Sequence, residues 1–277
     1  MGEEGKKAFT LDPDTFKKIQ PLEYHRRFIN EGVRADGRAL MQFRPSSINS
    51  GIITTAQGSC IVKMGNTSVV CAIKAEIAPP LPLQPSQGFL VPNIDLPSLC
   101  SPQFSRSGLP SELTQTLSRL LDSIVSNGRL LDLESLCIVS GQYVWTLFAD
   151  IVCLDHSGNV FDACVTALMG ALSDVRLPGV TVTDTDTGSS TLALNDDAPV
   201  TPLQLTRFVC SKTFGIFDGD SLIADPTFEE EEIISNTVTV VMDGHGAICC
   251  LYIPGGASVT KPIIDKCITM TRKSLSN

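Results

Sequence analysis

The stretch at residues 155–172 constrains the fold of this chain more than any other segment. It reads DHSGNVFDACVTALMGAL, and it joins an apolar predicted strand at residues 142–154 to a predicted helix at residues 162–175. One side of that helix carries small residues, which let a helix approach a sheet closely: Ala163, Ala167, Gly170 and Ala171. The segment therefore predicts a mixed fold in which a helix covers one face of a sheet.

The turn between this strand and this helix lies where an anion could bind, but it lacks the side chains that usually bind one. The first backbone N–H groups of a helix have no intrahelical partner, so they favour anions. A phosphate-binding loop is expected to add Ser, Thr or Arg, but this turn offers Gly158, Asn159, Val160 and Phe161. Asp162, in the first helical turn, is expected to place its own carboxylate at the positive end of the helix dipole. We therefore predict a site shaped for phosphate from which the binding groups have been lost.

Composition and charge narrow the classes of protein to which the chain can belong. The 277 residues are 43% hydrophobic and 18% charged, which is typical of an ordered globular protein. No apolar run approaches the roughly 18 residues of a membrane span, and the first residues lack the apolar core of a secretory signal, so no membrane partner is expected. The net charge of −9 argues against a free-standing nucleic-acid binder. It is compatible with a subunit whose partners supply a basic groove.

Cysteine and histidine spacing argues against a structural metal site. The ten cysteines include no CxxC pair, and His25, His156 and His245 are far apart in sequence. Most of the cysteines lie inside apolar strand or helix patterns. Buried free thiols in a reducing compartment, the cytosol or the nucleus, are therefore expected.

Hydrophobic periodicity predicts two strand-rich halves within one globular unit. We expect an N-terminal helical segment at residues 1–32, a first half at 33–180, an exposed polar loop at 181–198 and a second half at 199–277. Strands are predicted at residues 48–55, 59–64, 67–76, 136–139, 142–154, 208–217, 221–224, 237–243 and 247–253. A last helix is predicted from Pro262. Strands followed by helices in each half indicate an α+β fold.

A proline-rich segment interrupts the first half. Residues 78–110 contain eight prolines, which exclude a regular helix and predict a long extended segment. An amphipathic helix follows at residues 111–127 and ends at Gly128. Its apolar face is predicted to carry Leu113, Leu117, Leu120, Leu121 and Ile124.

Four stretches together resemble the RNase PH family. They are ADGR (residues 35–38), GSCIVKMGNTSVVCAIKAE (58–76), DIVCLDHSGNVFDA (150–163) and TVTVVMDGHG (237–246). The resemblance covers roughly residues 20–273 and implies a ribosomal S5 domain 2-like fold with mixed sheets covered by helices. Within the family, PLEYHRRF (21–28), VPNIDLP (91–97) and DACVTALMGAL (162–172) are similar to non-catalytic ring subunits of the eukaryotic RNA exosome.

The resemblance implies where the machinery of an active member would lie. Active members of the family cleave RNA from its 3′ end by phosphorolysis. A family Arg that holds RNA or phosphate corresponds to Leu109, and a Gly-Gly-Thr/Ser-Arg phosphate loop corresponds to residues 158–161. Two catalytic acids correspond to Glu231 and Thr237. The degenerate positions are therefore Leu109, Val160, Phe161, Glu231 and Thr237.

These departures predict a chain without catalysis, metal or cofactor. Phosphate attacking a phosphodiester brings several negative charges together, which guanidinium groups or a metal must neutralise. Leu109 and Phe161 carry no charge, and Thr237 leaves Glu231 without a second carboxylate. The acidic run at residues 229–232 is a conceivable metal site. However, four successive glutamates are not expected to converge, and such runs are usually solvated.

The resemblance also implies partners and a cellular role. It implies ring partners of the subunit 5 and subunit 6 types, a cap subunit, and RNA passing through the assembled ring. Nucleus, nucleolus and cytoplasm are the expected locations, with roles in rRNA processing and mRNA decay. Two alternatives remain open: an active phosphate-dependent 3′-to-5′ exoribonuclease whose site is completed by a partner, and an RNA-binding module for AU-rich elements.

Two basic features have both a functional and a structural interpretation. Arg106, at the end of the proline-rich segment, could contact RNA or form a surface or interface salt bridge. His25, Arg26 and Arg27 could form a basic patch. On an amphipathic helix they could equally be the exposed or partner-facing side.

Overall fold

The first half of the chain is built on one large sheet. In the computed structural model, which describes residues 13–104, 111–184, 190–195, 200–219, 221–256 and 258–275, this sheet has the strand order β1-β2-β3-β6-β4. The strands are β1 (Ser46–Ser50), β2 (Gly58–Met64), β3 (Thr67–Ala78), β4 (Phe89–Asp95) and β6 (Tyr143–Asp155), with β5 (Cys137–Val139) paired to β6. Neighbours are antiparallel except β4 and β6, which are parallel. Strand β3 is central in this order, and its residues 69–73, VVCAI, are all apolar.

Helix α4 (Val160–Asp174) covers the inner face of this sheet. The predicted small residues let it lie close to the strands. At Gly170, for example, an added Cβ would lie 2.5 Å from the Sγ of Cys60 on β2. The helix also packs against the second half through β11 (Val209–Phe217), so one helix joins the two halves.

The proline-rich segment is more regular than the sequence predicts. It contains β4 and a single 3₁₀ turn at Pro102–Phe104. Residues 105–110 lie outside the described part of the chain. Helix α3 (Glu112–Gly128) follows, with the Ser111 hydroxyl accepting a hydrogen bond from the N–H of Thr114 at 3.1 Å.

The predicted apolar face of α3 is confirmed at Leu117, Leu120, Leu121 and Ile124, which are buried. Leu113 lines one cleft together with Leu117 and Leu120, so it lies on the same face, but it is 41% exposed rather than buried.

The second half forms an antiparallel sheet with the strand order β12-β11-β13-β14. The additional strands are β12 (Ser221–Ala224), β13 (Asn236–Asp243) and β14 (Ile248–Tyr252). Helix α6 (Lys261–Leu275) packs against this sheet and buries Cys267. The predicted α+β fold, with mixed sheets covered by helices, is confirmed.

The predicted polar loop at residues 181–198 is wrong over most of its length. Strands β8 (Gly179–Asp184) and β9 (Ser190–Asn195) pair there as an antiparallel hairpin. GVTVTD alternates apolar and polar residues, and STLALN places Leu192 and Leu194 two residues apart, a period-two spacing that favours strands even where Thr and Asp dominate the composition. Two short strands, β7 (Arg176–Leu177) and β10 (Thr201–Pro202), pair at its base.

The N-terminal helices are α1 (Pro13–Ile19) and α2 (Pro21–Asn30). A short helix that the sequence did not predict, α5 (Phe228–Glu231), lies between β12 and β13. All ten cysteines are free thiols, and six of them are buried. In the described residues, no helix is long and apolar enough to span a bilayer.

Candidate functional site

The turn that precedes α4 lies at the junction of the two halves. Gly158 and Asn159 both adopt left-handed backbone conformations, with φ of 88° and 49°. Helix α5 approaches this turn so closely that a Cβ at Gly158 would lie 2.4 Å from the backbone nitrogen of Phe228. The N–H of Phe228 donates to the carbonyl oxygen of Ser157 at 3.2 Å. Both the backbone angle and the close approach therefore require glycine at position 158.

The start of α4 is occupied by a carboxylate of the chain itself. The backbone N–H of Asn159 donates to Glu231 Oε1 at 2.7 Å. Burial raises the pKa of Glu231 to about 7, although the Asn159 N–H and the Arg44 charge act in the opposite direction. The nearby carboxylates of Asp225 and Asp162 contribute to this raised value. Glu231 thus takes one of the backbone N–H donors at the N-terminus of α4 that an external anion would use.

The prediction that Asp162 fills the helix start was wrong. Its carboxylate accepts hydrogen bonds from Ser211 Oγ at 2.5 Å, from the backbone N–H of Thr213 at 2.8 Å and from Asn159 Nδ2 at 2.8 Å. Strand β11 lies beside the first turn of α4 and supplies the Ser211 and Thr213 donors, so the side chain points toward β11. Burial raises the pKa of Asp162. This residue ties the two halves together.

One guanidinium group, that of Arg44, lies beside the turn. Its Nε and Nη2 each donate to the Asp225 carboxylate at 2.8 Å. It also donates to the carbonyl oxygens of Ser157 at 3.1 Å and Gly158 at 3.0 Å. With a side chain only 8% exposed, Arg44 has its donors directed at the protein rather than at the cleft.

Asp225 is held in its ionised form. Burial alone would raise its pKa, but the hydrogen bonds and the charge of Arg44, together with Asn159 Nδ2 at 2.7 Å, lower it to about 2. Asn159 therefore donates from its backbone to Glu231 and from its side chain to both Asp162 and Asp225. Three carboxylates surround the first residues of α4.

The prediction that the acidic run at residues 229–232 is solvated was wrong for two of its members. Successive residues of a helix are rotated by about 100°, and in α5 this rotation sends the four carboxylates in different directions. Glu230 is buried and accepts from Arg34 Nε at 2.9 Å, whereas Glu231 reaches the start of α4. Glu229 is exposed and lies 2.6 Å from Lys17 Nζ. Across the described ranges, no three His, Cys, Asp or Glu side chains converge in a way that could hold a metal ion.

Four of the predicted positions line one cleft of about 260 Å³: Val160, Phe161, Glu231 and Thr237. The other lining residues are Leu113, Thr116, Leu117, Leu120, His156, Asn159, Thr213, Thr239, Tyr252 and Pro254. Val160 and Phe161 are each 5% exposed and belong to the main hydrophobic core. Leu109 and Arg106 lie outside the described residues.

His25, Arg26 and Arg27 do not form an exposed basic patch on α2. His25 is buried, and burial lowers its pKa despite the nearby charges of Glu230 and Glu229. Arg26 Nε pairs with Asp218 at 2.7 Å. The guanidinium of Arg27 lies 4.9 Å from the centre of the Phe16 ring. These side chains connect α2 to its surroundings.

Sequence reasoning missed the ion pairs that fix α5 and the turn. Arg34 pairs with Glu230, and Arg44 pairs with Asp225. A signal was present for Asp225, because it directly follows the buried strand β12 and a carboxylate at the end of an apolar strand needs a partner. Nothing in the sequence indicated which arginine that partner would be.

Comparison with known proteins agrees with this architecture. The model of the 3′ exoribonuclease family, domain 1 (RNase PH) matches residues 42–178, and that of domain 2 matches residues 207–274. The chain is 39% identical over 268 residues to the exosome complex component rrp43 of Schizosaccharomyces pombe, covering 97% of each chain. It is 36% identical to the exosome complex component Rrp42 of Methanothermobacter thermautotrophicus, covering 87% of this chain and 86% of the relative.

Solved structures support the same assignment. The Archaeoglobus fulgidus exosome with RNA bound to the active site matches with a TM-score of 0.80 and 28% identity, covering 91% of this chain and 93% of that chain. An archaeal exosome core matches with a TM-score of 0.77 and 26% identity, covering 95% and 97%. The predicted RNase PH-like fold is thereby confirmed. The chain belongs to the RNase PH family, the 3′ exoribonuclease family.

Proposed function

We propose that this chain is a non-catalytic, architectural subunit of the RNA exosome ring. Relatives that match 97% and 87% of its length are named exosome complex components, and two exosome structures are similar to it in fold. In this proposal it has the place of a subunit 8 type chain. It contacts RNase PH-like neighbours of the subunit 5 and subunit 6 types, and a cap subunit.

The hydrogen bond from Asn159 to Glu231 carries the non-catalytic part of the proposal. Phosphorolysis needs an inorganic phosphate held at the start of α4, among groups that neutralise its charge. Here a carboxylate takes the backbone N–H at 2.7 Å, and Asp162 and Asp225 bring two more negative groups to the same residue. A phosphate bound at the start of α4 would lie beside these carboxylates, although it needs hydrogen-bond donors there.

The surrounding side chains favour the same conclusion. Val160 and Phe161 contribute packing to the core and no hydrogen-bond donor to the cleft. Arg44 is already paired with Asp225. Thr237 lines the cleft beside Glu231, so the two family positions for catalytic acids supply one carboxyl group. Among the described residues that line the cleft, there is neither a pair of carboxylates that could hold a metal ion nor a free guanidinium that could neutralise a phosphate.

The cellular role in this proposal is to complete a ring that passes single-stranded RNA to a nuclease elsewhere in the assembly. Through that ring, the chain supports rRNA processing and mRNA decay in the nucleus, the nucleolus and the cytoplasm. A net charge of −9 fits a subunit that closes a ring whose partners supply the basic path.

Reconstitution tests membership of the ring. The chain is co-expressed with RNase PH-like exosome subunits, and the mass of the intact assembly is measured, with and without this chain. We expect the chain to enter with one copy per ring and to gain thermal stability through mass action. If the chain stays a monodisperse monomer in the presence of these partners and gains no thermal stability, the proposal is contradicted.

A phosphorolysis assay tests the absence of catalysis separately. Single-stranded RNA is incubated with phosphate, magnesium and either the chain or the assembly, and nucleoside diphosphates are measured. We expect none that depend on this chain. Phosphate-dependent product that disappears with Glu231→Ala, but not with the exposed control Glu232→Ala, would establish the active exoribonuclease instead. Tight RNA binding by the isolated chain, with a preference for AU-rich sequences, would favour the binding-module alternative.

A further inference from the structure

The cleft at the start of α4 combines apolar walls with a few polar atoms. It has a volume of about 260 Å³ and reaches from α3 to the end of β14. Its apolar walls are formed by Leu113, Leu117, Leu120, Val160, Phe161, Tyr252 and Pro254. A cleft with this lining suits a small molecule that has an apolar body and one polar end.

One carboxylate oxygen in the cleft is left for a ligand. Glu231 Oε1 accepts the backbone N–H of Asn159 at 2.7 Å, whereas Oε2 accepts no hydrogen bond from the described residues. Glu231 is half-buried and lines the cleft. A donor that enters the cleft can therefore form a charge-assisted hydrogen bond with Oε2.

A second acceptor, Asn159 Oδ1, is buried without a hydrogen-bond partner. Asn159 is only 3% exposed, and it also lines the cleft. Its Nδ2 donates to Asp162 at 2.8 Å and to Asp225 at 2.7 Å, so the amide is fixed with Oδ1 turned away from these carboxylates. A buried acceptor without a donor is unfavourable, and an N–H group of a ligand would satisfy it.

The charges around the start of α4 favour a positive ligand. Among the described residues, neither lysine nor arginine lines the cleft. The guanidinium groups of Arg44 and Arg38 lie nearby, but both are paired with Asp225. Glu231 has no such partner, and Asp162 adds a second carboxylate behind Asn159. An anion is repelled by this arrangement, whereas a cation is attracted.

These observations together define the chemistry of the ligand. We propose that the cleft binds a small organic cation, an aliphatic amine or guanidine, with its chain against the apolar walls and its N–H groups directed at Glu231 Oε2 and Asn159 Oδ1. The inference rests on the non-catalytic role proposed above, since a working phosphate site needs the opposite charge. It does not depend on membership of the ring.

The test uses the full chain and four probes: n-butylamine, n-butanol, butyrate and inorganic phosphate. Binding is followed at pH 8 by NMR, through the amide resonance of Asn159 and the carboxyl carbon of Glu231. We expect n-butylamine to shift both resonances and n-butanol, which has the same chain without the charge, to bind at least about tenfold more weakly. Butyrate and phosphate should not bind.

The pH dependence of binding gives a second measurement. Burial raises the pKa of Glu231 to about 7, whereas an alkylamine stays protonated to about pH 10. Since the cation binds the ionised carboxylate, its affinity should fall about tenfold for each pH unit below 7 and level off above 7. The other charged or titratable groups at the start of α4 and in the lining are Arg44, Asp162, Asp225, His156 and Tyr252. Burial lowers the pKa of His156, so this ring is neutral above pH 7.

Three variants separate the charge of Glu231 from other effects. Glu231→Gln should weaken n-butylamine binding by about tenfold or more and remove the pH dependence. Glu232→Gln is the matched control, because Glu232 is exposed and does not line the cleft, and it should bind as the unchanged protein does. Leu113 is 41% exposed at the cleft, so Leu113→Lys should bring in a competing cation and weaken binding without lowering the melting temperature.

Several results would overturn the proposal. Equal affinity for n-butylamine and n-butanol would show that the cleft recognises only the apolar chain. Undiminished binding by Glu231→Gln would show that the carboxylate does not hold the cation. Phosphate binding by the unchanged protein would overturn the non-catalytic role and this inference together. Binding of neither phosphate nor n-butylamine would overturn this inference alone.

Discussion

The backbone N–H of Asn159 donates to Glu231 Oε1 at 2.7 Å, so a side chain of the second half caps a helix of the first half. The same Asn159 donates through its side chain to Asp162 and Asp225. An anion that bound the start of α4 would have to displace Glu231 while two further carboxylates remained. The chain thus uses a helix N-terminus, elsewhere a site for ligands, to hold its two halves together.

The first prediction concerns the pH dependence that Glu231 imposes on stability. Its pKa is raised from 4.5 to about 7 by burial, so the folded state binds a proton more tightly than the unfolded state. Stability from this group is fully present below pH 4.5 and is lost as the pH rises through about 7. The loss is at most about 3 kcal/mol in the free energy of unfolding. Urea unfolding of the unchanged protein and of Glu231→Gln between pH 4.5 and 8 measures it.

We expect Glu231→Gln to flatten this part of the profile, because the amide can accept the same hydrogen bond without titrating. The control is Glu232→Gln, one residue further along and exposed. It should leave the pH profile unchanged. Equal slopes for the unchanged protein and for Glu231→Gln would show that Glu231 does not titrate in this range.

The second prediction concerns the close approach of α5 to Gly158. Gly158→Ala places a methyl group 2.4 Å from the backbone nitrogen of Phe228 and strains a φ of 88°. Gly141→Ala is a matched control, since its φ is 79° and nothing lies within 4 Å of the added atom. The control should cost about 1 kcal/mol from the backbone alone. Gly158→Ala should cost about 2 kcal/mol more, from the clash.

Chemical denaturation gives both free energies of unfolding, and NMR gives a second measure. Displacement of α5 in Gly158→Ala should shift the amide resonance of Asn159, because that N–H loses its bond to Glu231. Equal destabilisation by the two variants would mean that the turn tolerates a side chain at position 158.

The sequence predicted most of the strands, the small-residue helix and its contact with a sheet, because these follow from local periodicity. It also predicted that Val160, Phe161, Glu231 and Thr237 share one site, through the family resemblance. It could not predict which carboxylate reaches the start of α4. Asp162 is nearest in sequence, but Ser211 and Thr213 on β11 offer it better donors. A choice between Asp162 and Glu231 depends on packing between distant segments, which no local pattern encodes.

The third prediction concerns the buried pair of Arg44 and Asp225. Arg44→Met removes the main partner of the buried Asp225 carboxylate and leaves it the longer contact with Arg38 Nη1 at 3.3 Å, which should cost up to about 3–5 kcal/mol in the free energy of unfolding. Adding Asp225→Asn should recover part of this loss, because the second change removes a buried charge that has lost its main partner. Arg26→Met, which breaks the exposed pair with Asp218, serves as a control and should have little effect.

Acid titration of the same proteins adds an independent measure. The pKa of Asp225 is about 2, below its ordinary value of 3.8, so the stability it contributes is present above pH 3.8 and is lost as the pH falls toward 2. This acid loss should be smaller in Arg44→Met. An unchanged acid profile would mean that Arg44 does not set the ionisation of Asp225.

The last prediction concerns rebuilding a phosphate site at the start of α4. Val160→Thr with Phe161→Arg supplies the missing donors but removes a core side chain that is 5% exposed, so it should cost about 3–5 kcal/mol of stability. We expect no phosphate binding by this double variant, because Glu231 still holds the Asn159 N–H.

Adding Glu231→Ala to the double variant should free that N–H and remove a negative charge. The triple variant, if folded by circular dichroism, should gain weak phosphate binding, since each charge-assisted hydrogen bond contributes about 1.5–3 kcal/mol. Calorimetry at low ionic strength measures it, with Glu232→Ala in place of Glu231→Ala as the control. Equal phosphate binding by the double and triple variants would show that Glu231 does not block the site. RNA turnover should remain absent, because Thr237 still lacks a carboxylate, and measured release of nucleoside diphosphates would contradict our account of what catalysis lacks here.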